Sequence, residues 1–402
     1  MPLAPSLLLL IIALRILLNA GFRMVYPFLP SLQAAFGIST TTLSAILSLR
    51  SLLGLTTPLW AVAAQRSRRQ GMALGLLVFA LGMAAAFVWP SWKGLALALV
   101  LSAIAKLTFD PAVHAYLGDR VPFQQRGSAV AWVETAWSLS FLVGMPLIAW
   151  ALGRWGWRAV FAALALLGLG GWLALQHGVP RDQVPGQEAE GSRVREVYRL
   201  WARLLRLPAA WALLLTGLAV TAANEVVLLV FGLWLEAQYH VSLVGLGGTA
   251  ALIGGAELLG EMLTATVTDR LGKGRSVQWG IGLNSLAMLG LLAAHRAGSL
   301  PMALAALFAF FLTFEFTLVS GIPWASGLLS ARYRAAVLGF FVAAVSLGRA
   351  VGDLVSPPLY RRGFLWVVLA GLAFNGLAWV ARRYVVLAEA PDEGARPSPT
   401  ET

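Results

Sequence analysis

Apolar residues run along this chain in blocks about 20 residues long, and polar residues collect in the short gaps between them. The blocks cover 5–30, 40–65, 71–90, 94–117, 127–151 and 158–178, then 209–236, 243–268, 276–295, 300–326, 335–358 and 363–386. A helix needs ~20 apolar residues to cross a hydrocarbon core ~30 Å thick. Each block is therefore expected to be one spanning helix, six on either side of a central break. Within the blocks the apolar runs are continuous, which points to helices and not to a barrel of alternating strands. The break, from Val179 to Leu207, is the only internal stretch of that length too charged to lie in hydrocarbon. From Ser192 onward it sets basic residues between Val197, Leu200, Trp201, Leu204 and Leu205, the pattern of an amphipathic helix resting on a membrane surface.

Composition agrees: 59% of residues are hydrophobic and 12% are charged, against ~25% charged in soluble domains. The net charge of +12 could suggest nucleic acid, but the placement of the 30 basic residues decides otherwise. Numbered from a cytoplasmic amino terminus, 19 fall in cytoplasmic segments; six fall outside, namely Lys93, Arg154, Arg158, Arg296, Arg361 and Arg362. That bias is the positive-inside rule, and it puts both termini in the cytoplasm. There is no cysteine, which removes disulfides and thiol–metal chemistry. The first block is read as a retained span and not a cleaved leader. The tail from 388 is polar and contains proline, and is expected to be disordered.

The two halves echo one another. Leu32-Gln33-Ala34 to Ser39 matches Leu235-Glu236-Ala237 to Ser242 at an offset of 203, Gln65-Arg66 matches Asp269-Arg270 at 204, and Arg126, Ser138-Leu139 and Val143-Gly144 match Arg334, Ser346-Leu347 and Val351-Gly352 at 208. Echoes in register imply a duplicated six-helix unit. A parallel repeat with a solute site between its halves is a transporter architecture.

A family resemblance follows. After the eighth block the chain reads Ala265-Thr266-Val267-Thr268-Asp269-Arg270-Leu271-Gly272-Lys273-Gly274-Arg275. This resembles the Gly-x-x-x-Asp-Arg-x-Gly-Arg-Lys loop signature of the major facilitator superfamily. The copy between the second and third blocks is degenerate, with Ala61, Gln65 and Arg68 replacing its Gly, Asp and second Gly and Arg66 and Arg69 retained. Tyr26-Pro27-Phe28-Leu29-Pro30, the run Pro111, Asp119, Pro122 and Arg126-Gly127, and Gly156-Trp157-Arg158 with Phe161 are similar to other points of the family pattern. The resemblance implies an all-α membrane protein of twelve helices, two six-helix bundles related by a pseudo-two-fold axis along the membrane normal. Its parts are expected to be an N-terminal bundle 1–178, a linker 179–208, a C-terminal bundle 209–387 and a tail 388–402. It further implies that the first, fourth, seventh and tenth helices line a central cavity. Asp269, Arg270, Gly272 and Arg66 are read as a conformational latch. Gly allows the tight turn, and the acid can pair with an Arg or a helix amino terminus and release it when the bundles rock.

Ionisable groups at membrane depth are expensive and mark pathways or relays by default. Arg15, Asn19 and Arg23 recur every four residues, as do Ser102, Lys106, Asp110 and His114, so each set shares one helix face. Asn224-Glu225 and Glu315 sit at mid-depth in the seventh and tenth spans. Bland readings stand beside the functional ones: Lys106 with Asp110 and Arg349 with Asp353 can neutralise each other at i,i+4, and Glu134 reads as structural. Glu257 and Glu261, one turn apart, disfavour joint ionisation. The first half embeds four cations against two acids, the second one cation against five. Arg23, Asn19, Lys106, Asn224 and Trp324 are the expected solute contacts; Asp110, Glu225 and Glu315 are the expected proton carriers. Trp132, Trp137 and Trp324 could form an apolar pocket, with packing against lipid the alternative for each.

No phosphate-cradling Gly-x-x-x-x-Gly-Lys-Ser/Thr stretch is present, which disfavours nucleotide-driven pumping. The expected function is secondary active transport by alternating access, through proton-coupled export of a small amphipathic or organic solute. Uptake of an organic anion or zwitterion is the runner-up, and a membrane enzyme acting on a lipid-linked substrate the remote alternative. Gly144-Met145-Pro146 only approximates the Gly-Pro-rich motif of exporters. No cofactor, metal or nucleic acid is expected. The partners are the solute, protons and lipid, the chain is expected to be a monomer, and its place is a prokaryotic inner membrane.

Overall fold

The computed structural model describes residues 5–57, 59–60, 67–180, 198–327 and 334–389. These residues are almost entirely helical, and the helices resolve into twelve spans. α1 is Pro5–Arg23, continued after a turn by Leu29–Phe36; α2 begins as Thr40–Leu52 and tightens into a 3₁₀ turn over Leu53–Thr56. α3 is Arg68–Val88 and α4 is Trp92–Arg120. A 54-residue helical stretch, Gln125–Gly178, follows. At 1.5 Å per residue it is more than twice as long as a bilayer core is thick. It is broken at Gly156, whose φ of 74° and ψ of 176° reverse the chain in a conformation that glycine adopts without strain. The part before Gly156 is α5 and the part after it α6. The second half is α7 (Pro208–Leu228, continued by Phe231–Tyr239), α8 (Leu243–Leu271), α9 (Lys273–Ala297), α10 (Leu300–Gly327), α11 (Arg334–Arg362) and α12 (Phe364–Glu389).

The first of the sequence echoes marks helix boundaries. Ser39 and Ser242, 203 residues apart, are the N-caps of α2 and α8; each side-chain oxygen accepts a backbone N–H, from Thr42 at 3.0 Å and from Gly245 at 3.2 Å. Gly37 and His240, again 203 apart, both close the preceding helix in the left-handed conformation, at φ 58° and 53°. The first span, expected to be unbroken over 5–30, turns at 24–28, and α7 turns at the equivalent Leu229 and Val230. Packing repeats too. α3 packs on α4 and α6 as α9 packs on α10 and α12, and the two bundles meet along α2 with α11 and α5 with α8, which are the same contact under exchange of halves.

The linker helix corrects one expectation. Where it is described, at 198–204, its apolar side meets protein: Trp201 and Leu204 are buried with Val337, Phe340 and Phe341 of α11. The Trp201 ring meets that of Phe340 edge-on at 6.0 Å. Tyr198 reaches the other bundle, its hydroxyl donating to the Leu55 carbonyl at 3.3 Å. The loop copy at 61–66, including Gln65 and Arg66, lies outside the described residues, as does the tail from 390.

The α5–α8 seam is closest at Gly254 of α8. A Cβ at Gly254 would strike the Leu142 nitrogen and lie 2.7 Å from the Ser138 carbonyl, whereas one at Gly255 meets nothing within 4 Å. Gly254→Ala should therefore cost about 1–3 kcal/mol through overpacking. Gly255→Ala should stabilise by about 0.5–1 kcal/mol through helix propensity. Thermal midpoints of the two variants in detergent, moving in opposite directions, check this.

Candidate functional site

A cavity of about 590 Å³ lies between the bundles. Its wall carries Arg15 of α1, Lys106 and Asp110 of α4, Glu134 and Trp137 of α5, Glu261 and Met262 of α8, Glu315 and Ile322 of α10, and Arg349 of α11. These levels of α4, α8 and α10 lie in the halves leading to Arg120, Leu271 and Gly327, on the side of the molecule where α1 begins. Away from that side the bundles close on each other through α2–α11 and through the upper parts of α5 and α8. The cavity is thus open towards one face and sealed from the other. Exposure rises along the polar wall: the Asp110 side chain is 18% exposed, Glu134 43% and His114 42%.

The first-half charges satisfy each other. Arg15 donates to Asp110 at 3.1 Å, to Glu134 at 2.9 Å and to the Val133 carbonyl at 2.7 Å. Lys106 donates to Asp110 at 2.6 Å and to the Asn19 side-chain oxygen at 2.7 Å, and His114 meets Glu134 at 2.8 Å. The i,i+4 pairing of Lys106 with Asp110 is realised, but inside a larger network. Glu134, read from sequence as structural, stands on the cavity wall. The cations that the first half brings to this wall are therefore neutralised by its own acids.

The second half is different. Glu315 is 5% exposed, and its Oε2 has no hydrogen-bond partner among the described residues. Glu261 accepts from Ser138 of α5 at 2.8 Å. The expected pairing of Arg349 with Asp353 is absent: Asp353 turns to α2 and accepts from Ser51 at 3.1 Å. Arg349 points to the cavity, 5.3 Å from the centre of the Trp137 ring. Trp137 is a hub for cations, with Arg23 at 4.0 Å and Lys106 at 5.2 Å from the same ring. Of the three tryptophans considered for a pocket, Trp137 alone lines this cavity, and Trp132 is exposed on the outer surface.

The remaining sequence-predicted residues lie off the wall. Arg23 is 1% exposed and bridges the bundles, donating to both Glu257 oxygens at 2.5 and 3.0 Å and to the Trp137 carbonyl at 2.9 Å. The Phe141 ring covers its other side at 3.6 Å. Asn19 touches the cavity only through Lys106. Asn224 and Glu225 are buried on α7, which gives the wall nothing; the expectation that α7 lines the cavity is replaced by α5, α8 and α11. Trp324 packs in the core beside Phe341 and Gly321, away from this cavity. Asp269 and Arg270 are exposed at the end of α8, and Gly272, at φ 86°, makes the turn into α9. Sequence missed the inter-bundle role of Glu257 and the placement of Arg349. The only signal for either was its depth within a span.

Residues 11–353 match the sequence model of the Major Facilitator Superfamily. An uncharacterised MFS-type transporter of Bacillus subtilis, YwfA, is 24% identical over 364 residues, covering 89% of this chain and 86% of that one. A chloramphenicol efflux pump of Mycobacterium tuberculosis is 27% identical over 365 residues, covering 85% and 82%. Among solved structures, the nucleoside transporter NupG superposes with a TM-score of 0.75 at 14% identity, covering 94% of this chain and 99% of that one. A bacterial homologue of the lysosomal transporter Spinster, in an inward-facing and occupied conformation, gives 0.71 at 16%, covering 98% of each chain.

Removing one partner of a buried, hydrogen-bonded ion pair strands the other charge, at a cost of about 3–5 kcal/mol. Arg23→Met and Glu257→Gln should each lower stability by that order, and the double variant by much less than the two together. Thermal denaturation of the three variants measures the coupling, and simple additivity would show that the pair does not act as a unit.

Proposed function

The chain belongs to the Major Facilitator Superfamily, and on that premise we propose that it exports a small amphipathic or organic solute in exchange for protons by alternating access. It is a multi-pass membrane transporter and not an enzyme. The observation that carries the proposal is the one-sided cavity between two bundles, with an unpartnered Glu315 oxygen on its wall. In a low-dielectric site such a carboxylate needs a proton or a cationic or hydrogen-bonding solute group, and the two occupants exclude each other. Export is favoured by the likeness to a drug efflux pump.

In this reading Glu315 and Asp110 meet protons or solute directly, Lys106 presents the polar wall, and Asn19 holds Lys106 in place. Glu225 takes part as a proton carrier from its buried position on α7, with Asn224 beside it. Arg23 and Trp324 act from behind the wall, the first by locking the bundles and the second by packing α10. The bundles are 1–178 and 209–387, with the linker 179–208 between them and the tail 388–402 after them. In this reading the chain sits in a prokaryotic inner membrane with both termini cytoplasmic, an orientation the excess of basic residues supports, and the cavity opens to the cytoplasm. Asp269, Arg270 and the Gly272 turn, with Arg66, serve as the latch that the opposite state engages. The working unit is a single chain surrounded by lipid.

Proteoliposomes with an imposed proton gradient test this, with radiolabelled chloramphenicol as the probe. Wild type should move the probe against the proton flow, and Gln at both Glu225 and Glu315 should reduce gradient-driven movement to background. Wild-type rates in the double variant would remove both residues from coupling.

A further inference from the structure

A second group of charges lies outside the cavity, at the seam between the bundles. α7 and α11 approach so closely that a Cβ at Gly352 would lie 2.5 Å from the Glu225 Cβ and 3.2 Å from the Ala222 carbonyl. That approach sets Glu225 against the face of α11 that carries Asp353, and the two carboxyl groups are neighbours. They are 1% and 0% exposed, and neither makes an ion pair within 4 Å among the described residues. Glu225 Oε1 and Asp353 Oδ1 have no hydrogen-bond donor among the described residues.

The groups facing the pair come from three spans. α1 brings Tyr26, α2 brings Arg50 and Ser51, and α11 brings Arg349. The charges of α12, which also packs on α7, lie towards its distant end, at Arg382, Arg383 and Glu389. Of the two cations, Arg50 is already engaged: it donates to the Phe22 carbonyl at 2.7 Å and to the Tyr26 hydroxyl at 2.8 Å, with its face over the Phe22 ring at 3.9 Å. Among the described residues Arg349 makes no ion pair within 4 Å, and it is an electrostatic neighbour of both Glu225 and the cavity residue Glu315.

We propose that Glu225 and Asp353 form an occluded proton-binding site at the α7–α11 seam, separate from the solute cavity, and that Arg349 is the counter-cation this site shares with Glu315. One proton placed between the two carboxyl groups removes their mutual repulsion and supplies the donor that Oε1 and Oδ1 lack. Arg349 carries one positive charge and stands between two acid sites. A proton or cation arriving at either site frees Arg349 for the other, so the two are coupled without touching.

The location sets the direction of access. Ser51 donates to Asp353, and Ser48 donates to the Ala350 carbonyl at 3.0 Å, so α2 covers the pair from the opposite bundle. The cavity side is already open here. The motion that closes the cavity and parts α2 from α11 uncovers the pair to the opposite side, where an exchanging proton must enter. The use of the site in transport rests on the antiport reading; its existence does not.

The test is infrared difference spectroscopy of the full chain in nanodiscs across an acid jump. It follows the carbonyl stretch of protonated carboxyl groups and its shift in D₂O. Wild type should gain a buried carboxyl band that is lost in Glu225→Gln and in Asp353→Asn and kept in Glu315→Gln. Glu315→Gln should move the pH midpoint of that band, and should not do so in an Arg349→Gln background. A band unchanged in both Glu225→Gln and Asp353→Asn overturns the site, and an unmoved midpoint overturns the sharing of Arg349. Should the two neutral variants not fold, Ser51→Ala, which removes the hydroxyl on Asp353, must shift the band frequency; no shift overturns the site. A band that behaves as stated without gradient-driven flux keeps the site and removes the antiport. Gradient-driven flux with an indifferent band does the reverse.

Discussion

A charge inside hydrocarbon must be matched where it stands, and the bidentate contact of Arg23 with Glu257 is where this constraint binds the two bundles together. Neither residue has water to fall back on, and they belong to opposite halves of the duplication. The indole of Trp137 and the ring of Phe141 enclose the guanidinium, which keeps the local dielectric low and the attraction strong. Arginine suits the position because its planar fork meets both carboxylate oxygens and its faces stack on aromatic rings. The α5–α8 seam beside the pair is closely packed around Gly254. A motion that opens this seam must find new partners for both charges.

The same constraint explains the unequal walls of the cavity. In the first bundle Arg15, Lys106, Asp110, Glu134 and His114 close into one network, so that wall is polar but internally balanced. In the second bundle Glu261 and Glu315 face the cavity with only Arg349 nearby. The imbalance visible along the chain is therefore concentrated on one side of the cavity and not spread across two opposing fields. An occupant of the cavity meets one wall on which two acids outnumber a single arginine.

Much of the fold was legible because the bilayer forces a simple code. Twelve apolar blocks correspond to twelve spans, and the echo at an offset of 203 ends on Ser39 and Ser242, which cap equivalent helices. The i,i+4 spacing of Lys106 and Asp110 placed them on one face, where they meet. The same spacing misled for Arg349 and Asp353, since periodicity fixes a helix face but not which neighbour a long side chain turns to. Ser51, some 300 residues away in the chain, captures the acid. Depth in a span likewise identified Glu225 as buried without revealing on which side of α7 it lies, and that depended on how tightly Gly348 and Gly352 let α11 approach. Arg23 and Glu257 are 234 positions apart, and no local pattern joins them. The surface-bound linker failed for a related reason: an amphipathic stripe reports that something apolar covers it, and the protein can do so as well as lipid.

That linker helix has a mechanical consequence. Trp201 is seated on one bundle while Tyr198 holds the other through the Leu55 carbonyl, so the strap is anchored at both ends of a moving joint. Rocking has to release one anchor or drag it along, and the work involved enters the balance between resting states. The relative occupancy of those states is then written partly into a segment remote from every solute-facing group. Changes there would retune how long the protein dwells in each orientation while leaving its selectivity untouched.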